Sequence, residues 1–124
     1  MENAEPIRVL IVEDEIAVSM VMEDMLIDAG CIVVGSADRI ETALAIAETE
    51  TIDVALLDVN LAGKAIQPVA DTLSRREVPF VFTTGYGDAS QVTGHSSRPV
   101  LRKPFTHRQL CDIVLSNCSR KIAS

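Results

Sequence analysis

The sequence predicts an α/β domain in which a parallel sheet is covered by helices on both faces. Two observations carry that expectation. Short, nearly continuous apolar runs of strand length recur along the chain, and stretches with the helical spacing of apolar residues separate them. Regular alternation of this kind is the mark of strand–helix–strand crossover units. The length of 124 residues fits one domain, with 48% apolar and 23% charged residues. A chain of that size buries roughly two-thirds of its unfolded surface, enough for a core without metal or disulfide support. Aromatics make up only 3% and Trp is absent, so Val, Ile, Leu, Ala and Met must build that core.

Ile7 to Val12 is the first strand, apolar enough to be covered on both faces. A helix over Glu15 to Ala29 follows, with Val18, Val21, Met22, Met25 and Ala29 as its core stripe and Gly30 just past its end. Ile16, Met20 and Ile27 form a second apolar stripe roughly opposite, so Ile16 and Met20 are expected to be at least partly exposed. Cys31 to Gly35 is the second strand. Asp38 with Glu41 three residues later predicts a capping box for a helix carrying Ile40, Ala43, Leu44 and Ala47. Val54 to Leu57 is the third strand. Ile66, Val69, Ala70 and Leu73 mark the third helix, with Pro68 confined to its first turn. Phe80 to Thr83 and Val100 to Arg102 are the fourth and fifth strands. The segment between them, Gly85 to Arg98, holds three glycines and little to bury, so any helix there is weakly determined and this part is expected to be the least stable. Thr106 and Gln109 make a capping box for the last helix, Phe105 and Leu110 a hydrophobic staple, and Leu110, Ile113 and Val114 face inward.

Composition excludes several function classes. With 11 Lys and Arg against 18 Asp and Glu, the net charge is -7, the wrong sign for neutralising nucleic-acid phosphates or an anionic membrane. No apolar run approaches the ~20 residues that span a bilayer, and the acidic Met1 to Pro6 is unlike a signal peptide, so a cytoplasmic location is expected. Cys31, Cys111 and Cys118 form no C-x-x-C pair, which removes zinc-knuckle and redox motifs and leaves ordinary thiols. Cys111 and Cys118 are about 10 Å apart along a helix, too far to bridge.

The chemistry gathers at the carboxyl ends of strands, where open α/β sheets place their sites. Glu13 and Asp14 follow the first strand, Asp58 the third, Thr83 or Thr84 closes the fourth, and Lys103 follows the fifth. Carboxylates converging there repel unless a hard cation lies between them, and such oxygens suit Mg²⁺. An Asp beside such an ion can accept a phosphoryl group, with a lysine and a hydroxyl stabilising the transferred charge. Taken singly, each residue also fits a solvated helix start, a turn or a loop. Their combination at successive strand ends is the specific signal.

Val9-Leu10-Ile11-Val12-Glu13-Asp14-Glu15, Val54-Ala55-Leu56-Leu57-Asp58, Thr84 and Lys103-Pro104-Phe105 together resemble a response-regulator receiver domain, over about Ile7 to Cys118. The resemblance implies a flavodoxin-like sheet of order 2-1-3-4-5 and makes Asp58 the phosphoacceptor. It implies that Asp14 binds Mg²⁺ directly, Glu13 mainly through water, and Asn60 through its backbone carbonyl. It also gives Thr84 and Lys103 contacts to the phosphoryl oxygens and a cis peptide at Lys103-Pro104, an X-Pro bond being where the cis form costs least. Pro79-Phe80-Val81-Phe82-Thr83-Thr84-Gly85-Tyr86-Gly87 further resembles the Phe-Ala-Thr-Gly signature of the stand-alone receivers called the FATGUY group. Asp58-Val59-Asn60-Leu61 and Pro68-Val69-Ala70 also match that group. Thr83 replaces its usual Ala, so either threonine is a candidate for the hydroxyl, with spacing before Gly85 favouring Thr84.

Receivers usually carry an aromatic switch three residues before the lysine, and Val100 stands there instead. Tyr86 either supplies another readout or merely packs over its loop. The implied function is that of a single receiver domain, residues 1–124 with no output domain. It takes phosphate from a histidine kinase onto Asp58 and signals to a downstream protein or a histidine phosphotransfer protein. Family resemblance also points to the first helix, with Ile16 and Met20, as the kinase-binding surface. A phosphatase of the haloacid-dehalogenase type is the alternative, but it needs a carboxylic acid two residues after the nucleophile, where this chain has Asn60. A flavin-binding flavodoxin is disfavoured by the acidic loop after the first strand.

Overall fold

The computed structural model describes residues 5–61, 64–85, 94–95 and 97–119. In chain order the elements are β1 (Arg8–Val12), α1 (Ile16–Asp28), β2 (Ile32–Ala37), α2 (Ile40–Thr49), β3 (Val54–Asp58), β4 (Asn60–Leu61), β5 (Lys64–Ala65), α3 (Gln67–Arg75), β6 (Phe80–Thr84), β7 (Val100–Arg102) and α4 (His107–Asn117). Five strands form one sheet in the order β2-β1-β3-β6-β7, every neighbouring pair parallel. Counted among themselves these strands run 2-1-3-4-5, the doubly wound order expected. β4 and β5 make a small antiparallel hairpin after β3 that apolar periodicity gave no means to foresee.

Alternation along the strands divides the core into two layers. Leu10, Val12, Ala55, Leu57, Phe80 and Phe82 face α2 and α3, meeting Ala43, Ala47, Val69, Ala70 and Leu73. Val9, Ile11, Val54, Leu56, Val81 and Leu101 face the other way, against Met22 and Leu26 of α1 and Leu110 and Val114 of α4. β3 and β6 are buried at every residue, as central strands covered on both faces must be. Each fully buried Leu, Ile or Phe contributes about 2–3 kcal/mol of transfer free energy. The approach of α2 to the sheet is set by Gly35, where a Cβ would lie 2.6 Å from Ile46 Cδ1.

Helix ends follow local chemistry. α1 stops in a Schellman motif: Gly30 has φ of 89°, its N–H donates to Ile27 O, and the Cys31 N–H donates to Leu26 O. The capping box on α4 forms as expected, with Gln109 N donating to Thr106 Oγ1 at 3.0 Å and Thr106 N to Gln109 Oε1 at 2.8 Å. The box expected at Asp38 and Glu41 does not form. α2 begins one residue later, with Arg39 at the N-cap and no side-chain cap, which takes Glu41 out of the required third position. The core stripe of α1 also differs from expectation. Ser19, Met22 and Leu26 are buried and Val18 and Met25 half-buried, while Val21 and Ala29 are exposed. Apolar residues surround this helix, so spacing alone could not orient it.

At the amino ends of the strands Asp53 draws the chain together. Its carboxylate accepts from Arg8 N at 2.8 Å, its own N–H donates to Arg8 O, and its carbonyl accepts from Ser119 N. The β6–β7 connection is tied to α3 where it is described: His95, buried and edge-on to Phe80, lies with Nε2 2.8 Å from Asp71 Oδ1, and Arg98 covers the Phe80 ring. Most of the Gly85 to Arg98 segment lies outside the described residues, as does Tyr86.

Candidate functional site

The parallel register brings one chemical group from each of several strands to the same edge. Val12 pairs with Leu57, Asp58 with Thr83, and Thr84 with Arg102. Glu13 therefore emerges beside Asp58, and Lys103 beyond the end of β7. Glu13 and Asp58 are 2% and 6% exposed, deep burial for carboxylates. What offsets its cost is visible. Lys103 Nζ lies 2.7 Å from Glu13 Oε1 and 3.6 Å from Asp58 Oδ2, with Glu15 Oε1 at 4.0 Å. The Glu15 N–H donates to Glu13 Oε2, and the Asn60 N–H to Asp58 Oδ1, both at 3.1 Å. The Lys103 N–H donates to Thr84 O at 2.8 Å, and the following Lys103-Pro104 peptide is cis.

Electrostatics at this edge are strained. Burial pushes the Asp58 carboxyl up to about 7; the neighbouring Glu13 charge adds to this, and the Asn60 N–H and Lys103 oppose it. Burial on its own would lower the Lys103 ammonium, but the Glu13 hydrogen bond and the charges of Asp58, Glu13 and Glu15 hold it above the ordinary lysine value.

Glu13, Asp14 and Asp58 each present a carboxylate oxygen within 4.8 Å of the others. Several hard oxygens gathered beside the strand ends fit a small divalent cation that keeps waters of its own. The donor set thus suits the Mg²⁺ expected from sequence, and the Asn60 backbone lies next to it.

Each predicted site residue within the described part of the chain is placed. Glu13, Asp14, Asp58 and Lys103 converge, with Asn60 hydrogen-bonded to Asp58. The two threonines separate by face: Thr83 continues the Val81 face with Asp58, and Thr84 the Phe82 face. Ile16 and Met20 of α1 are 68% and 59% exposed. Between α1 and the Lys103-Pro104-Phe105 turn runs an apolar groove lined by Val18, Val21, Met25, Pro104 and Phe105. Val100, three residues before Lys103, is exposed on β7. Nothing in the sequence singles out Glu15; its place beside Lys103 follows only from the turn of the chain after β1. No helix among the described residues is long and apolar enough to cross a membrane.

Comparison with known proteins agrees with this fold. The profile of the response regulator receiver domain matches residues 9–115. The transcriptional regulatory protein PdtaR of Mycobacterium tuberculosis is 30% identical over 123 residues, covering 96% of this chain and 60% of PdtaR. The chain thus spans about 60% of the length of the curated relatives it matches. The solution structure of SdrG from Sphingomonas melonis superposes with a TM-score of 0.79 at 42% identity, covering 90% of this chain and 96% of SdrG. The response regulator PhyR from Brucella abortus gives 0.75 at 31% identity, over 88% of this chain and 46% of PhyR.

Proposed function

The chain belongs to the response-regulator receiver family, whose members are phosphoacceptor signalling domains, and from that premise we propose that Asp58 is its phosphorylation site and a histidine kinase its donor. The observation that carries this is the buried Asp58 carboxylate held between Asn60 N–H, Glu13 and Lys103 at the strand edge. An Asp58 oxygen attacks the phosphorus of a phosphohistidine, the P–N bond breaks, and the imidazole leaves with the electron pair and takes up a proton. Lys103 stands 3.6 Å from Asp58 Oδ2, close enough to balance the charge that arrives with the phosphoryl oxygens. Thr84 offers a hydroxyl at the end of the adjacent strand. A Mg²⁺ held by Glu13, Asp14, Asp58 and the Asn60 carbonyl would supply the positive charge that keeps Asp58 ionised and screens it from the incoming anion.

Signalling then passes by protein contact or by onward transfer to a histidine phosphotransfer protein. The kinase docks on α1, where Ile16 and Met20 stand exposed within two turns of Asp14. A cytoplasmic setting fits the three free thiols. SdrG, 44% identical to this chain in its BeF₃-activated conformation, makes beryllofluoride an apt probe here too.

The test is labelling with acetyl phosphate and Mg²⁺. One stoichiometric, hydroxylamine-sensitive phosphate is expected on wild type and none on Asp58→Asn, because an amide is a poor nucleophile. Labelling of Asp58→Asn at an unchanged rate would overturn the assignment. Met20→Glu should slow transfer from the cognate kinase severalfold, as a charge in a docking centre does, while labelling from acetyl phosphate stays normal. Equal slowing of both routes would show that α1 acts only through the fold.

A further inference from the structure

Beside Asp58 lies a buried hydroxyl without a hydrogen-bond partner, that of Thr83, a residue 1% exposed. Among the described residues, the other buried side-chain oxygen outside a hydrogen bond, Glu13 Oε1, has the Lys103 ammonium 2.7 Å away. An orphaned buried hydroxyl costs about 1–3 kcal/mol, which valine, of the same shape, would avoid. Its position gives the reason for keeping it. Thr83 is the register partner of Asp58 on the neighbouring strand. Strand alternation puts both side chains on the α1 and α4 face, Asp58 continuing Val54 and Leu56, Thr83 continuing Val81. Glu13 and Lys103 continue the same face from Ile11 and Leu101. Thr84 has the opposite parity, with Phe80 and Phe82. One χ1 step swings a threonine hydroxyl between staggered positions without moving the strand.

We propose that Thr83 is a second phosphate-binding hydroxyl of this site, its Oγ–H donating to an oxygen of the phosphoryl group carried by Asp58. This rests on the phosphorylation of Asp58 proposed above and adds a hydroxyl donor to that site. The hydroxyl is thus unpaired in the resting protein and satisfied in the phosphorylated one, so the residue favours the phosphorylated state over the free state.

The experiment compares wild type, Thr83→Val and Thr83→Ser for BeF₃⁻ affinity in Mg²⁺ and for the lifetime of the Asp58 phosphate formed from acetyl phosphate. One hydrogen bond to a charged acceptor corresponds to about a tenfold loss of BeF₃⁻ affinity in Thr83→Val, with a changed phosphate lifetime. Thr83→Ser should restore both. The melting temperature of unphosphorylated Thr83→Val should equal or exceed that of wild type, since an orphaned group has been removed. Unchanged BeF₃⁻ affinity in Thr83→Val would overturn the inference. So would a loss of affinity accompanied by a lower melting temperature and not restored by serine, which is the signature of a packing role. Failure of wild type to label on Asp58 would instead bring down the reading on which this one stands.

Discussion

Leu56 and Asp58 lie two residues apart on one face of β3 and are almost equally hidden from water, yet they stand in opposite energetic situations. Leu56 is 0% exposed among Ile11, Met22 and Val81, and everything around it favours its burial. Asp58, 6% exposed, is held among Glu13, Thr83 and Lys103, where burial works against its charge. The body of the sheet stabilises the domain and its carboxyl edge stores unfavourable free energy. A cation binding there would release that stored energy, which makes the edge responsive.

Three measurements test this contrast. Leu56→Ala should cost about 3 kcal/mol in urea unfolding, the usual result of opening a cavity in a packed core. A cost under about 1 kcal/mol would mean that the body of the sheet is no better packed than its edge. Asp58→Asn should do the reverse, stabilising the metal-free protein at pH 8 by on the order of 2 kcal/mol, water at the rim screening part of the full cost. The sign follows from Asp58 having a folded value of about 7 against 3.8 for the unfolded carboxyl. Asp58 costs nothing below about pH 4, where it is protonated in both states, and progressively more as pH rises to 7. The advantage of Asp58→Asn should therefore vanish on acidification to pH 4; a gap independent of pH would remove the electrostatic account. The smallest effect is that of the metal. At a Mg²⁺ concentration tenfold above its Kd, wild type should gain about 1.4 kcal/mol by mass action. Asp14→Ala should gain much less, and an equal gain would place the ion elsewhere.

Legibility in the sequence varied along similar lines. Strands β1, β3 and β6 were readable because a strand covered on both faces must be a continuous apolar run, and an acidic residue ending such a run stands out. α3 was readable because its apolar residues, Val69, Ala70 and Leu73, keep to one side and are all buried. α1 was not, because apolar residues surround it: Val21 was expected in the core and is exposed, while Ser19 is buried and hydrogen-bonded to Ser36. Helical spacing carries orientation only when the opposite face is polar. The start of α2 differs from expectation because Asp38 and Glu41 have the spacing of a capping box without the backbone to make it. At the candidate site, residue types and order sufficed to predict that Asp58, Asp14, Glu13 and Lys103 lie together. The faces that Thr83 and Thr84 take needed strand parity, which no local motif contains.

The Asp53 clasp bears on how the molecule can be handled. Arg8 and Ser119, near the first strand and just past the last helix, both bind this one residue. Asp53 precedes β3 and Asp58 ends it, so the clasp and the reactive edge are separated by the length of a strand, ~17 Å. A fluorophore, affinity handle or surface tether attached near either Arg8 or Ser119 would sit at the pole away from the chemistry. Both attachment points share one anchor, so two dyes placed there would remain close neighbours while the domain is folded and part when it unfolds. Such a pair would report melting of the whole domain and stay silent to events at Asp58.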